Sequence, residues 1–261
     1  MPEKPDSFVL ADWPELVRRV RARTPARLLL GRSGAAYRTT TQIELRKAHA
    51  AARDAVRAEL DVMKHLGEEF AHRWDLFEVC TQADTKQEYL LRPDLGRHFN
   101  ELSRTRLLQC CSRHNPLQIT IGDGLSVTAV AAQVPPLLPL LHQGARTRGW
   151  SLGRIPVIRH CRVGILNEIG ELLFPEVAVL LIGERPGLAT AESLSAYMAY
   201  RPQKTHTDAN RNLISNIHLR GVRLQDAARR ILNLAARMIS LGSSGCQVRE
   251  ESPLGTGSAQ G

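Results

Sequence analysis

The chain has 261 residues, of which 43% are hydrophobic, 23% charged and only 5% aromatic. That is enough for one large domain, or one domain with a helical annex. The net charge of +9 admits nucleic acid, an acidic protein or a phosphorylated ligand as partner. No apolar run approaches the ~20 residues a membrane span needs, so no membrane partner is expected.

The N-terminal stretch MPEKPDSFVLADWPEL carries acids and prolines and no apolar signal region, so a cytoplasmic location is expected. Asp12, Trp13 and Pro14 can start a short helix with Trp13, Leu16, Val17 and Val20 on one face. The densest basic run, RRVRARTPAR (Arg18 to Arg27), has no interleaved aromatics for stacking bases. It reads as solvated helix faces plus a basic patch, and no nucleic acid is expected as partner. GRSGAAYRTTT reads as a loop, and a long amphipathic helix follows with Ile43, Leu45, Ala48, Ala52, Ala55, Val56, Leu60 and Met63 near helical spacing. Leu76 to Thr81 and Gln87 to Leu91 suggest a short hairpin about Ala83, Asp84 and Thr85. Residues 1–90 therefore read as a mostly helical annex with a hairpin.

From residue 91 strands and helices alternate. A helix is expected from Pro93 or Asp94, then a strand over Leu117 to Ile121 ending in Gly122-Asp123-Gly124. Ser126 can cap the next helix, and a second helix is expected from the prolines at 135 and 136. Ile155 to Ile158 and Cys161 to Ile165 read as strands, with Asn167 capping a short helix. Val177 to Ile182 is a continuous apolar strand, the pattern of a sheet covered on both faces. Thr190 can cap a helix over AESLSAYMAY, and Thr207 to Gly221 reads as a ligand-cradling or partner-docking loop. Leu224, Ala227, Ile231, Leu234, Met238 and Leu241 make the clearest helical stripe, with Gly242 able to close it. Residues 243–261 have too little apolar surface to order themselves.

The expected fold is α/β, a Rossmann-like, mainly parallel sheet with flanking helices over residues 91–242. Ligands of such sheets sit beyond the C-terminal strand ends, which makes GDGLS and GERPG the default ligand loops. From the residues alone Glu184 and Arg185 admit two readings, a surface ion pair or groups facing a ligand; Asp123 either caps a helix or binds. After Gly122-Asp123-Gly124 the third glycine of a dinucleotide fingerprint is Val127, and no P-loop pattern occurs. Ser126 is not in a G-x-S-x-G elbow, and no catalytic carboxylate pair or Ser-His-Asp set stands out. Five cysteines without a C-x-x-C pair read as reduced thiols, and nine scattered histidines without ligand spacing offer no metal site.

LRPDLGRHF, IGDGLS, VPPLLPLL, RVGILNEIGELL, LLIGERPGLATAESLSAYMAY and NRNLISNIH occur in this order. Together they resemble the small (light) subunit of ethanolamine ammonia-lyase, over roughly Gly31 to Leu241. The resemblance implies an adenosylcobalamin-dependent radical deaminase that converts ethanolamine to acetaldehyde and ammonia. Its large, barrel-shaped subunit holds the substrate and most catalytic groups; the small subunit closes over the cobalamin between them. It implies cofactor contacts at Val163 and Glu184, with catalytic groups elsewhere. A third contact, a Cys before I-S-N, is Leu213 here, and the Asp before E-I-G-E is Asn167. The D-x-H-x-x-G signature of a cobalt-ligating histidine is missing, as the family's pattern requires. Longer family members carry an N-terminal extension associated with loading into ethanolamine-utilisation microcompartments. The stretch before Gly31 is short and weakly matched, so encapsulation does not follow.

Overall fold

The computed structural model describes residues 13–23, 28–30, 32–187 and 190–250. Asp12, the Trp13 side chain, Arg27 and Gly31 therefore lie outside the described residues. The chain opens with helix α1 (Trp13–Arg23), a two-residue ladder of β1 (Arg32–Ser33) and β2 (Ala36–Tyr37), and helix α2 (Thr39–Arg57). The long helix expected to reach Met63 stops at Arg57. Asp61 caps a new helix, α3 (Val62–Leu66), by accepting the Lys64 N–H at 3.0 Å, and α4 (Glu68–Arg73) follows.

The expected hairpin does not form. Its first arm is strand β3 (Phe77–Cys80), which pairs in parallel with a distant strand, Phe77 opposite Pro156; its second arm is helix α5 (Lys86–Leu91). The physical reason is a cap: Thr85 Oγ1 accepts the Glu88 N–H at 3.1 Å, in a T-x-x-E stretch that favours a helix start. The helix expected from Pro93 or Asp94 begins later. A single 3-10 turn (Leu95–Arg97) comes first, and α6 (Glu101–Cys110) starts at the Asn100 cap.

Strand β4 (Leu117–Gly122) leads into helix α7 (Val127–Thr147), one continuous helix where two were expected. Pro135, Pro136 and Pro139 each remove a helix N–H. The burial of Leu137, Leu138 and Leu141, all fully inaccessible, outweighs that loss. β5 (Pro156–Arg159) falls where expected, but Cys161 to Gly164 is a turn into helix α8 (Ile165–Leu173). Gly164 takes the cap position, which places Asn167 inside the first turn. β6 (Val177–Gly183) is buried along its whole length.

The helix expected after Thr190 is instead strand β7 (Leu194–Tyr200), antiparallel to β6 from Leu194↔Gly183 to Tyr200↔Val177. Leu194, Ala196 and Met198 point into one core while Tyr197 packs on the other, a period of two. The open edge of β6 decides an apolar run that could have been either element. The expected loop before Gly221 contains strand β8 (Asn212–Ile217), paired with β7. Helix α9 (Leu224–Leu241) ends at Gly242, whose φ of 61° is left-handed, as its stripe foretold. The expected disordered tail is ordered at its start. Val248 is 2% exposed, and Asn212 Nδ2 donates to the Gly245 and Val248 carbonyls at 3.2 and 2.7 Å. Residues 251–261 lie outside the described residues.

The six-stranded sheet runs β3-β5-β4-β6-β7-β8, parallel across the first four and antiparallel across the last two. Val177, Val179 and Leu181 face α7 and α9; Ala178, Leu180 and Ile182 face α6 and α8. Successive strands step from β4 to β5 on one side and then to β6 on the other, so the direction reverses between β4 and β6. A crevice at such a reversal is where α/β sheets bind ligands.

All five cysteines are free thiols. Burial pushes the Cys111 thiol up to about 12 and raises Cys161 well above its ordinary value. The folded state keeps these protons above about pH 8.5, where an unfolded chain loses them. Their contribution to stability is therefore present below that pH and is lost as pH climbs. The urea midpoint is expected to fall between about pH 8.5 and 10.5, and a thiol-exchange reagent should reach exposed Cys246 well before Cys111 or Cys161. A flat pH series together with uniform labelling would contradict this.

Candidate functional site

The two loops singled out by the sequence meet at the C-terminal ends of β4 and β6. The Leu125 N–H donates to the Gly183 carbonyl at 3.1 Å. Gly124 has φ of +56°, and a Cβ there would lie 2.4 Å from the Gly183 oxygen; one on Gly183 would lie 2.0 Å from the Ser126 oxygen. Only glycines let the loops touch this closely. Ser126 caps α7 as expected, accepting the Ala129 N–H at 3.1 Å, and donates its hydroxyl to the Ala191 carbonyl.

Asp123 does neither of the things its sequence suggested. It is 1% exposed, and its carboxylate accepts the backbone N–H groups of His160 at 3.0 Å and Cys161 at 2.8 Å. The buried Lys86 ammonium stands 3.4 Å from it and donates to the Gly124 carbonyl at 3.1 Å. Lys86 also lies 4.7 Å from the centre of the Tyr89 ring. Tyr89 in turn donates its hydroxyl to the Cys161 carbonyl at 2.9 Å, and the Arg162 guanidinium stacks on its ring at 4.1 Å. Asp123, Lys86 and Tyr89 together fasten the turn after β5, which carries Val163.

Glu184 is half-buried at the tip of β6. One carboxylate oxygen accepts the Ser193 hydroxyl at 2.6 Å; the other accepts the Ser195 hydroxyl at 2.6 Å and the Asn216 N–H at 2.8 Å. Asn216 presents that N–H from a left-handed backbone, φ 61°, which Asn tolerates better than most residues. A carboxylate offers about four lone-pair directions, so three donors leave room for another. Burial, then the Glu184 charge, raises the Tyr197 phenol beside it.

A cavity of about 280 Å3 opens here, and Val163, Glu184, Arg185, Tyr197 and Leu213 line it. The structure thus brings together Val163 and Glu184, with Leu213, from the β5–α8 turn, the β6 tip and β8. A second cavity of about 800 Å3 adjoins it and shares Arg162, Val163 and Tyr197. Asn167 lies in this second space: its side-chain oxygen accepts from Arg211 Nη2 at 2.9 Å and its Nδ2 donates to the His206 carbonyl at 2.8 Å. Burial lowers the Arg211 pKa, and neighbouring Asp208 opposes that. Sequence reasoning missed Lys86, Tyr89, Arg162 and Arg211. For the first two, the T-x-x-E cap of α5 was the available signal. Among the described residues no group of three or more His, Cys, Asp or Glu is placed to hold a metal ion, and no helix is long and apolar enough to cross a membrane.

The fold and site define an α/β protein with an open cavity where parallel strands end. The chain belongs to the ethanolamine ammonia-lyase light chain family, whose model matches residues 14–249. It is similar to the ethanolamine ammonia-lyase small subunit of Clostridium perfringens, at 40% identity over 230 residues, 88% of this chain and 76% of that protein. The same coverage and identity hold for that of Clostridioides difficile. The Fusobacterium nucleatum subunit is 38% identical over 225 residues, 86% of this chain and 74% of that protein.

Proposed function

We propose that this chain is the small subunit of an adenosylcobalamin-dependent ethanolamine ammonia-lyase. It clasps cobalamin against a large subunit that holds ethanolamine, and the complex releases acetaldehyde and ammonia. The observation that carries the reading is the shared cavity of Val163, Glu184 and Leu213, at the strand reversal between β4 and β6. The parallel half of the sheet serves as a Rossmann-like clasp in this reading, and the complex works in the cytoplasm. Location inside an ethanolamine-utilisation microcompartment is a separate matter that the family's N-terminal extension would govern.

The residues present fit the cofactor. Val163 and Leu213 give an apolar surface suited to a corrin edge, and Leu213 is 44% exposed. Glu184 has acceptor capacity left for a corrin amide N–H, a donor that suits a carboxylate. At 213 a leucine offers no thiol, so its contribution is apolar contact. Adenosylcobalamin supplies the radical chemistry when bound; the protein's share is placement and exclusion of water. Ser193, Ser195 and the Asn216 N–H fix the Glu184 carboxylate, so it does not have to be ordered on binding. The Asp123 and Tyr89 anchors do the same for Val163.

Co-expression with the large subunit of the same organism tests the reading. The purified complex is expected to form acetaldehyde from ethanolamine with added adenosylcobalamin and none after its removal, and this chain alone should be inactive. Turnover by the isolated chain, or by a complex freed of corrin, would contradict it.

A further inference from the structure

Residues 13–57 hold eleven Arg and Lys against three Asp and Glu. Their net charge is +8 of the chain's +9, so the rest of the protein is close to neutral. The same stretch is the least covered by the fold. None of residues 14–23 in α1 is buried, and of the nineteen residues in α2 only Thr41 and Ala55 are. Leu16, Leu28, Leu29, Tyr37 and Ile43 are each between 41% and 60% exposed. A helix as short as α1 is marginal in water without a buried face. Like charges four residues apart, Arg19 with Arg23 and Arg53 with Arg57, add to that cost. Among the described residues the one ion pair within this arm joins Arg18 to Glu15. On α2 the inner face is Leu45, Ala48, Ala52 and Ala55. The opposite face carries Ile43, Arg46, Lys47, Ala50 and Arg57 at helical spacing, all exposed, with Asp54 as the acid among them. A basic stripe with an isoleucine in it calls for a partner that is both acidic and partly apolar.

We propose that residues 13–57 form a docking arm that seats on an acidic, partly apolar face of the large subunit; the identity of that partner rests on the reading above. The root of the arm points to it. Glu59, just past α2, pairs with Arg159 at 2.8 Å, and Arg159 ends β5 immediately before the turn that carries Val163. Leu60 then enters the core. The arm therefore leaves the body at the sheet end where β4 and β6 also finish, the end that the large subunit covers in that reading. Its chemistry disfavours the other occupants. A second copy brings the same +8 and is repelled. A nucleic-acid backbone satisfies guanidiniums but leaves Leu16, Leu28, Leu29 and Ile43 in water. Ten of the eleven cations are Arg, whose planar fork pairs with a carboxylate through two N–H groups. Protein interfaces are enriched in Arg and depleted in Lys, whereas an anionic lipid surface takes either cation.

The test dilutes the co-expressed complex of the full chain and its large subunit at about 50 and about 300 mM salt, and reads dissociation by mass photometry. Corrin absorbance gives the cobalamin affinity of the intact complex. The wild-type complex is expected to loosen about tenfold between the two salts. The triple variant Arg46→Glu, Lys47→Glu and Arg57→Glu should dissociate at least about tenfold more readily at low salt and lose most of the salt dependence. Ile43→Ala should loosen the complex severalfold and keep that dependence. All four sites are exposed, so the urea midpoints of the variants should match the wild type. Arg146→Glu, an exposed charge at the far end of α7, should change nothing. The proposal is overturned if the triple variant assembles like the wild type at both salts, or if Arg146→Glu causes an equal loss. It is also overturned if vesicles of phosphatidylserine and phosphatidylcholine, or duplex DNA, bind the wild type and not the triple variant while assembly is untouched. A complex with the expected arm dependence that takes no cobalamin keeps the docking arm and removes the cobalamin reading. A complex that binds cobalamin and assembles regardless of the arm's charge does the reverse.

Discussion

Asp123→Ala is expected to lower the unfolding free energy by about 3–5 kcal/mol, the range for removing one member of a buried ion pair. The substitution strands the Lys86 ammonium, whose side chain is 7% exposed, and deprives the His160 and Cys161 N–H groups of their acceptor. It also releases the turn that carries Val163. The double change Asp123→Leu with Lys86→Met removes both charges at once, and should cost clearly less than the sum of the single changes. Urea unfolding of the wild type, both single variants and the double variant supplies the cycle. A loss below about 1 kcal/mol for Asp123→Ala, the size of an exposed pair, would contradict the buried-anchor account.

Glu184→Ala is expected to act twice. It leaves two serine hydroxyls and the Asn216 N–H without their acceptor, at a cost of about 1–3 kcal/mol because the site is only half-buried. It also removes the acceptor that faces the cavity, so cobalamin affinity of the complex should fall by roughly ten- to a hundredfold. Glu184→Gln separates the two effects. Its amide oxygen can still accept, and the serine hydroxyls can rotate to accept from its NH2, so most of the stability should return while affinity stays intermediate. Urea midpoints and corrin absorbance titrations read the two quantities. Wild-type affinity in a folded Glu184→Ala complex would remove this residue from the cofactor site.

Legibility in the sequence followed the range of the interaction that decides each element. The α9 stripe and Gly242 are local, and the helix ends where they place its end. β6 is a run of hydrocarbon too short for a helix, and it is the central strand expected. LSAYMAY carries no such local signal: short apolar runs suit either element, and only the unpaired edge of β6 makes it β7. Asp123 was visible as a candidate, but its partners were not. Lys86 lies 37 residues away, just before Gln87 to Leu91, a stretch that reads as a hairpin arm and is helix α5. Val163 and Glu184 were placed by resemblance to a family; the residues alone left Glu184 between two roles and gave Val163 to a strand that is a turn. Three separate segments meet at their cavity, and no periodicity within any one of them encodes that meeting.

The proposed function requires the corrin to rest against the cavity where β4 and β6 end. A density map of the complex of both subunits with cobalamin measures this directly. The expected result is the corrin edge in contact with Val163 and a corrin amide within hydrogen-bond reach of the Glu184 carboxylate. Cobalamin bound by the large subunit at a distance from Val163 and Glu184 would contradict it.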